Sequence, residues 1–280
     1  MILNDLKDRI ERIEGRTKRF VAADAPQPSP WTTGLEGLDS ALPQNALPYD
    51  ACHDFTPLVK TDVPQVAGFI FALLQRLPAL TAGQQGGVQN RRRQQRRPVV
   101  WCQTAFNARE YGRVYAPGLL GSLVSPEDLI FVNVPKDRDL ALVLEECVRV
   151  PHIAAVIGEG PAPDFTASRR LTLAAQESHV PCLILNTGGE IRASAAATRW
   201  RIAPIAGPPD PLDPAGPGLA AWSITLARAR GGNAALNPTL ASPLKAAWNH
   251  ETHTFHLVSP FRPGATLEGQ TPHDQVQRRG

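Results

Sequence analysis

The alternation of short β-rich runs with helical patterns constrains the fold of this chain more than any other feature. Five apolar runs rich in β-branched and aromatic residues are predicted strands, at 49–55, 98–103, 128–134, 153–159 and 181–187. Helical patterns lie between them, at 63–77, roughly 107–116, 138–149 and 166–178. Because the runs are apolar on both faces, we expect a mostly parallel central sheet with helices on both sides. The sequence therefore predicts an α/β fold in which helix 63–77 is the most buried.

The C-terminal third has a different pattern. Its β-rich runs have no helical pattern between them and lie at 198–205, 220–232 and 251–259. This order predicts an antiparallel C-terminal extension of the same sheet. We expect the core to span residues 32–262, interrupted by a disordered loop at 81–97 and followed by a disordered tail at 263–280.

The first twenty residues predict a separate helix. Its apolar residues have a 3-4-3 spacing with charged residues between them, and they are Leu3, Leu6, Ile10 and Ile13. This pattern is typical of an amphipathic helix, predicted over residues 1–20. The proline-rich segment 21–31 then predicts an extended linker. The apolar stripe must dock either on the protein's own core or on a partner, and we favour the partner.

Composition limits where the protein can act. The chain has 280 residues, of which 42% are hydrophobic, enough for a sizeable core. Its longest apolar stretches are far shorter than the ~20 residues that a membrane span needs. The N-terminus lacks the apolar core of a signal peptide, so we expect a cytoplasmic protein. The cysteines are isolated in apolar segments and are expected to be reduced, namely Cys52, Cys102, Cys147 and Cys182.

The basic character of the chain is local. The formal net charge is +3, and one run, "RRRQQRR", supplies much of the excess. Its arginines are candidates for binding the DNA backbone, and they are Arg91, Arg92, Arg93, Arg96 and Arg97. No aromatic residues are interleaved with them for base stacking. A solvated loop is the open alternative.

Several segments resemble the RecA-type ATPase core. "TGLEGLDSALP" (33–43) is similar to the stretch before the phosphate loop of that fold, and 98–132 to its second strand, helix and third strand. "ATRWRI" and "SITLARAR" are similar to its late strands, so the resemblance covers about residues 32–258. It implies a RecA-like central sheet.

Within that group the chain resembles the ImuA family more closely. The pieces that carry this resemblance are "ACHDF" (51–55), "YAPGL" (115–119), "VIGE" (156–159), "SRRLTLAAQE" (168–177), "ATRWR" (197–201) and "RARGG" (228–232). Each piece is short, and their specificity comes from their order along the chain. The tethered N-terminal helix adds to the resemblance, because RecA-like proteins use such a helix to reach a neighbouring subunit.

The position of the phosphate loop lacks its glycines. Phosphate binding needs successive backbone N–H groups that converge on the anion, a lysine and a hydroxyl. Lys60 and Thr61 offer the last two, but the preceding "DFTPLV" has no glycine and contains a proline. The position of the water-activating carboxylate holds Gln103-Thr104, and Gly158 stands at the position of the magnesium aspartate. Glu159 follows one residue late and is expected to point to the opposite face. We therefore expect no ATP hydrolysis and no cofactor.

The histidines of "HETHTFH" invite a metal site. On a strand, His250 and His256 would share one face and His253 would lie on the other. One metal ion cannot collect all three, so a solvated strand is the preferred interpretation.

The resemblance implies a binding protein rather than an enzyme. Its expected role is that of an adaptor in SOS-induced translesion DNA synthesis. The partners it implies are an ImuB-like Y-family polymerase homologue, RecA, indirectly an error-prone DNA polymerase III alpha-type subunit, and possibly DNA. Two alternatives stay open: a SulA-like cell division inhibitor that binds FtsZ, and a divergent RecA-like ATPase.

Arg228 and Arg230 of "LARARGG" are further candidates for partner binding. RecA has two lysines at this spacing on a late strand, where they reach the ATP of a neighbouring subunit. The resemblance implies that these two arginines contact a terminal RecA subunit. The alternative is a pair of solvent-facing arginines before a Gly-Gly turn.

Overall fold

A nine-stranded sheet organises the chain. The computed structural model describes residues 29–81, 97–119, 122–150, 152–189, 193–209, 215–216, 218–232 and 242–258. The strands are β1 (Cys52–Pro57), β2 (Val99–Thr104), β3 (Leu129–Val134), β4 (Ala155–Gly160), β5 (Cys182–Asn186), β6 (Thr198–Ile205), β7 (Ala221–Ala229), β8 (Leu244–Asn249) and β9 (Thr254–Leu257). Their order across the sheet is β3-β2-β4-β5-β1-β6-β7-β8-β9.

Except for α1, which precedes β1, the helices lie between the parallel strands, as the sequence predicts. They are α1 (Glu36–Asp39), α2 (Val63–Leu74), α3 (Pro78–Thr81), α4 (Ala105–Glu110), α5 (Leu140–Val148) and α6 (Phe165–Ser178). Short 3-10 helices add Pro43–Asn45, Lys60–Asp62, Ala116–Leu119, Pro126–Asp128 and Asp137–Asp139. Within the described ranges, no helix is long and apolar enough to cross a membrane.

The mostly parallel sheet with an antiparallel C-terminal part is confirmed, with one correction to its boundary. β6 pairs with β1 in parallel, so the antiparallel pairing begins only between β6 and β7. The prediction that 198–205 already belongs to the antiparallel extension is therefore wrong. β8 was not predicted, because "LKAAWN" is rich in alanine and lysine, which are depleted in strands.

The helix α2 is the centre of the core on one side of the sheet. Its last six residues are all buried, which confirms the prediction for this segment. It packs among large rings that the strands present to the same side. Phe71 stacks on Trp101 with ring centroids 4.8 Å apart, and Phe69 contacts Trp222 and Phe255 edge-on or tilted. The side chains on the opposite side of the sheet pack with α5 and α6.

The strand β3 departs from the predicted pattern. It is the outermost strand on its side of the sheet, and Ile130 and Phe131 are both 47% exposed. Helices lie on both sides of the sheet as predicted, but in the described part of the chain they leave these two side chains of the edge strand partly exposed.

Two predicted boundaries move. The helix predicted at roughly 107–116 is α4, which begins at Ala105 and is capped by Thr104, whose hydroxyl accepts the Asn107 amide hydrogen at 3.4 Å. Trp31, placed in the linker by the sequence, is fully buried, and its indole donates to Leu73 O at 3.2 Å. The core therefore includes Trp31. The predicted disordered tail and residues 82–96 of the loop lie outside the described residues.

Candidate functional site at the carboxyl ends of the parallel strands

The joint between β1 and α2 carries the Lys-Thr pair and has little capacity to bind a phosphate. Pro57 and Pro64 at its two ends have no backbone N–H. Of the six amides between these prolines, three donate to backbone carbonyls: Leu58 N to Ile202 O, Asp62 N to Val59 O, and Val63 N to Lys60 O. A phosphate nest needs successive amides that converge on the anion. Within 57–64, all of which the structure describes, these prolines and carbonyl acceptors limit that row to residues 59–61, and no glycine lets the backbone approach an anion closely.

A shallow cleft of about 240 Å³ lies beside this joint. It is lined by residues that follow the ends of β1 to β5, namely Lys60, Phe106, Asn107, Glu110, Tyr111, Asp137, Pro161, Thr187 and Gly188. The lining carries one ammonium group and two carboxylates, so its charge disfavours a polyanion such as a nucleoside triphosphate.

The ends of β2 and β4 are joined by a buried carboxylate. Glu159 is 3% exposed and accepts hydrogen bonds from Trp101 Nε1 and Gln103 Nε2, each at 2.9 Å. Burial raises the pKa of the Glu159 carboxyl, and these two hydrogen bonds lower it in part. Gly158 faces the other side of the sheet, where an added Cβ would meet Leu144, as a period of two predicts. The carboxylate nearest to the expected magnesium position is thus bound to neutral donors of the core.

The Glu159 carboxyl makes stability depend on pH. Because its pKa is raised in the folded chain above the ordinary value of 4.5, the unfolding free energy falls as pH rises from that value through the folded pKa. Glu159→Gln cannot ionise, but it loses an acceptor and is expected to cost about 1–3 kcal/mol at low pH. The wild type loses stability as the Glu159 carboxyl ionises, so we expect the deficit, which is the difference in unfolding free energy between wild type and variant, to narrow as pH rises. The measurement is urea unfolding between about pH 4.5 and pH 8. Glu146→Gln, at an exposed carboxylate of α5, is the control. A deficit that is constant with pH would contradict the assignment.

A second group of polar side chains closes the same edge of the sheet. Asn107 donates to Glu159 O at 3.2 Å and accepts from the Thr187 hydroxyl at 3.1 Å. Asn186 accepts the amide hydrogens of Ala162 and Gly188 at 3.1 and 3.0 Å. These side chains hold the loops after β2, β4 and β5 together, so their polar groups serve the fold.

Arg228 contacts the protein's own core. Its guanidinium donates to Ser194 O at 3.3 Å, and the Ser194 hydroxyl donates to the buried Asp54. Arg199 donates to the same hydroxyl at 3.1 Å and approaches Asp54 at 3.9 Å. Burial raises the pKa of the Asp54 carboxyl, while the Ser194 hydrogen bond and the two arginines lower it in part. No local pattern in the sequence indicates this cluster, because its members are up to 174 positions apart.

The geometry predicted for Arg228 and Arg230 is wrong in one respect. β7 ends at Ala229, so Arg230 lies in the turn beyond it and the two arginines are not a strand pair at i and i+2. A β-bulge opposite Arg199 and Trp200 also breaks the alternation just before Arg228. Both side chains are exposed. Their predicted contact with a partner remains a prediction.

Most other candidate residues cannot be placed. Leu3, Leu6, Ile10 and Ile13 lie outside the described residues, as do Arg91, Arg92, Arg93 and Arg96. Arg97 is exposed, two residues before β2. For these residues the sequence-based predictions stand as predictions.

The three histidines do not follow the predicted strand pattern. β9 begins at Thr254, and His250 and His253 lie in the turn between β8 and β9. His253 has a left-handed backbone with φ 52°. Among the described residues, no group of three His, Cys, Asp or Glu side chains is placed to hold a metal ion.

The outer edge of β3 is a further exposed apolar feature of this fold. In the described part of the chain, β2 is the strand that pairs with β3. The other edge of β3 therefore presents unpaired backbone groups, flanked by Ile130 on one face and Phe131 on the other. An edge with these properties can accept an extended segment of a second protein.

The fold and these sites define an α/β protein whose polar side chains at the strand ends bond to one another and in which, among the described residues, only β2 pairs with the edge strand β3. No protein-family model matches the chain. The chain is 30% identical over 236 residues to Protein ImuA of Caulobacter vibrioides (strain NA1000 / CB15N), covering 81% of this chain and 87% of the relative. The match to Protein ImuA of strain ATCC 19089 / CIP 103742 / CB 15 has the same identity and coverage.

The chain belongs to the ImuA family. The resemblance inferred from short segments is thereby confirmed over most of the chain. At family level this membership supports an involvement in SOS mutagenesis and the response to DNA damage.

Proposed function

We propose that this protein is a non-catalytic adaptor in SOS-induced translesion DNA synthesis. It binds an ImuB-like polymerase homologue and RecA, and through them it brings an error-prone DNA polymerase III alpha-type subunit to a stalled replication site. The observation that carries the proposal is the joint at 57–64, which has no glycine and in which two prolines and three amides bonded to carbonyls shorten the row of N–H groups that a phosphate nest needs.

The groups around this joint support the same proposal. An ATPase of this fold needs a carboxylate that activates water and a carboxylate that holds magnesium. Here Gln103 and Glu159 bond to each other, and Asn107 bonds to Thr187. Side chains that satisfy one another in the folded protein are not available to a nucleotide without rearrangement. The divergent-ATPase alternative therefore has no supporting geometry in the described residues.

The open edge of β3 supports a role in binding. Protein interfaces depend on a few apolar or aromatic anchors that become buried on association. Ile130 and Phe131 provide such anchors beside backbone groups that a partner strand can pair with. We propose RecA as the occupant of this edge. RecA-like proteins carry an N-terminal helix on an extended tether that reaches a neighbour, and an extended segment of this kind can pair with an open strand edge. The SulA-like alternative gains nothing from the comparisons.

The Lys60→Ala variant tests the absence of a nucleotide function. Lys60 is exposed, and the joint around it has no glycine and is bounded by prolines, so we expect removal of the Lys60 side chain to leave partner binding unchanged. Calorimetric titration of the wild type with Mg-ATP should give no saturable binding up to about 1 mM. Pull-down of the ImuB-like protein and of RecA by Lys60→Ala should match the wild type, with Lys136→Ala as a control for loss of an exposed ammonium. Micromolar ATP affinity that Lys60→Ala abolishes would overturn the proposal.

A further inference from the structure

One face of the antiparallel strands carries several basic side chains. Trp200, Ile202, Trp222 and Ile224 are buried on the α2 side of β6 and β7. Their neighbours along each strand point to the opposite face, because side chains alternate. On that opposite face, α5 and α6 pack against strands β1, β2, β4 and β5. Arg201 of β6 and Lys245 of β8 are both exposed there.

The charge of this region is strongly one-sided. The described ranges 193–209, 218–232 and 242–258 contain five basic residues and one carboxylate, namely Arg199, Arg201, Arg228, Arg230, Lys245 and Glu251. Glu251 lies in the turn after β8, away from the middle of the strands. Within the residues that the structure describes, Arg201, Arg230 and Lys245 form no ion pair with a carboxylate. Their charges are therefore available to a ligand.

The strand register fixes how the basic side chains are spaced. Arg201 is opposite Thr225 of β7, and Lys245 is opposite Ser223 of β7, two residues along. Arg201 and Lys245 are thus two strand spacings (~9.6 Å) apart across the sheet and two residues (~6.8 Å) along it, roughly 12 Å in all. Arg228 lies on β7 between these two strands, opposite Arg199 and further along the sheet, so the three basic residues form a triangle. We call Arg201, Ser223, Thr225, Arg228 and Lys245 the basic sheet face.

The chemistry of this face suits phosphodiester groups. Guanidinium and ammonium groups bind phosphate oxygens by charge and by hydrogen bonds. The two hydroxyls between them, Ser223 and Thr225, are partly exposed and are also groups that contact the backbone of nucleic acids. The rings of these strands, such as Trp222, point to the other face, so this face has no aromatic platform for the bases. The expected contact is to the backbone and is independent of base sequence.

A protein partner fits this face less well. Protein interfaces have apolar or aromatic anchors at their centre and few charged residues there. The centre of the basic sheet face has hydroxyls, basic groups and the small side chain of Ala203, and no large apolar anchor among the described residues. A duplex would present two phosphate tracks across a groove, whereas the face offers one small group of basic side chains on a flat sheet. A single strand is flexible enough to bend its backbone from one of these side chains to the next.

We propose that the basic sheet face binds the backbone of single-stranded nucleic acid. This site is distinct from the arginine run at 91–97 and from the edge of β3. It does not depend on the adaptor role, because it is a property of the isolated chain.

The test uses the full chain and a fluorescent 30-nucleotide single strand of mixed sequence. We expect Arg201→Ala/Lys245→Ala to weaken binding roughly tenfold at low salt. Each lost phosphate contact removes ~0.7 from the slope of log Kd against log salt, so the slope should fall by ~1.4. Arg113→Ala/Lys136→Ala removes two exposed basic groups elsewhere and is the charge-matched control. Replacement of the five arginines of 91–97 by serine is a separate arm.

Several outcomes would overturn the proposal. These are no binding by the wild type at low salt, an equal loss in the Arg113→Ala/Lys136→Ala control, and a loss confined to the 91–97 variant. Preference for duplex of the same length would show that the single-strand assignment is wrong. Equal competition by polyglutamate at matched charge would show that the face recognises acidic chains in general. The two proposals can fail independently. If Arg201→Ala/Lys245→Ala loses the single strand but still pulls down RecA, the loss concerns the basic sheet face and leaves the adaptor proposal untouched.

Discussion

Replacing Ile130 and Phe131 together by alanine should weaken binding of RecA by about two to three orders of magnitude. Each side chain is large, apolar and 47% exposed on the unpaired edge strand. Interface anchors of this kind contribute about 2 kcal/mol or more each, and every 1.4 kcal/mol corresponds to a tenfold change in affinity. Because neither residue is fully buried, the free protein should lose little stability. The measurement is the Kd for RecA by biolayer interferometry, with unfolding of the free variant checked in urea.

The chain offers a matched control for this variant. Leu142 on α5 and Leu173 on α6 are 56% and 49% exposed, and they lie on helices rather than at a sheet edge. Leu142→Ala/Leu173→Ala removes a similar amount of exposed apolar surface and should leave binding unchanged. If this control weakens RecA binding and the β3 variant does not, the edge of β3 is not the interface. If the β3 variant loses the ImuB-like protein but keeps RecA, the occupant of the edge was assigned wrongly.

Local patterns predicted most of the secondary structure, because the buried strands are rich in β-branched and aromatic residues. The strands β1, β2, β4 and β5 lie within a few residues of their predicted positions. Which strands pair with each other could not be predicted from local patterns. The direction of β6 depends on its partner β1, which is more than 140 positions away in sequence. Which strand lies at the sheet edge is likewise set by long-range pairing, so the exposure of β3 could not be read from its apolar run.

The candidate site shows the same division. The lack of glycines before Lys60 was visible in the sequence, and the structure adds where the amides of that joint donate. The donors to Glu159 come from β2, more than 50 positions earlier, and nothing local to Glu159 indicates them. The basic sheet face could not be predicted from the sequence for a similar reason. Arg201 and Lys245 are 44 positions apart and become neighbours on one face only through the register of β6, β7 and β8.

The largest effect on stability is expected at Trp101. Its ring is fully buried, stacks on Phe71 at 4.8 Å and donates to Glu159 at 2.9 Å. Trp101→Ala leaves a large cavity and removes this donor, so we expect a loss of about 5 kcal/mol, within the usual range for a buried tryptophan plus an unsatisfied acceptor. Total stabilities of domains are about 5–15 kcal/mol, and this variant should therefore be close to unfolding at ambient temperature.

Trp101→Phe separates the ring from the hydrogen bond. Phenylalanine preserves most of the stacking on Phe71 but cannot donate to Glu159, so its cost should be about 1–3 kcal/mol and should be greatest where the carboxylate is ionised. In a Glu159→Gln background the same substitution should cost less, because the charged acceptor is already absent. The difference is a coupling free energy of about 1–2 kcal/mol, obtained from urea unfolding of the four proteins of the cycle at about pH 7.5. Equal costs in the two backgrounds would show that the indole stabilises the protein by packing alone, and that the Glu159 carboxylate is held by Gln103 without it.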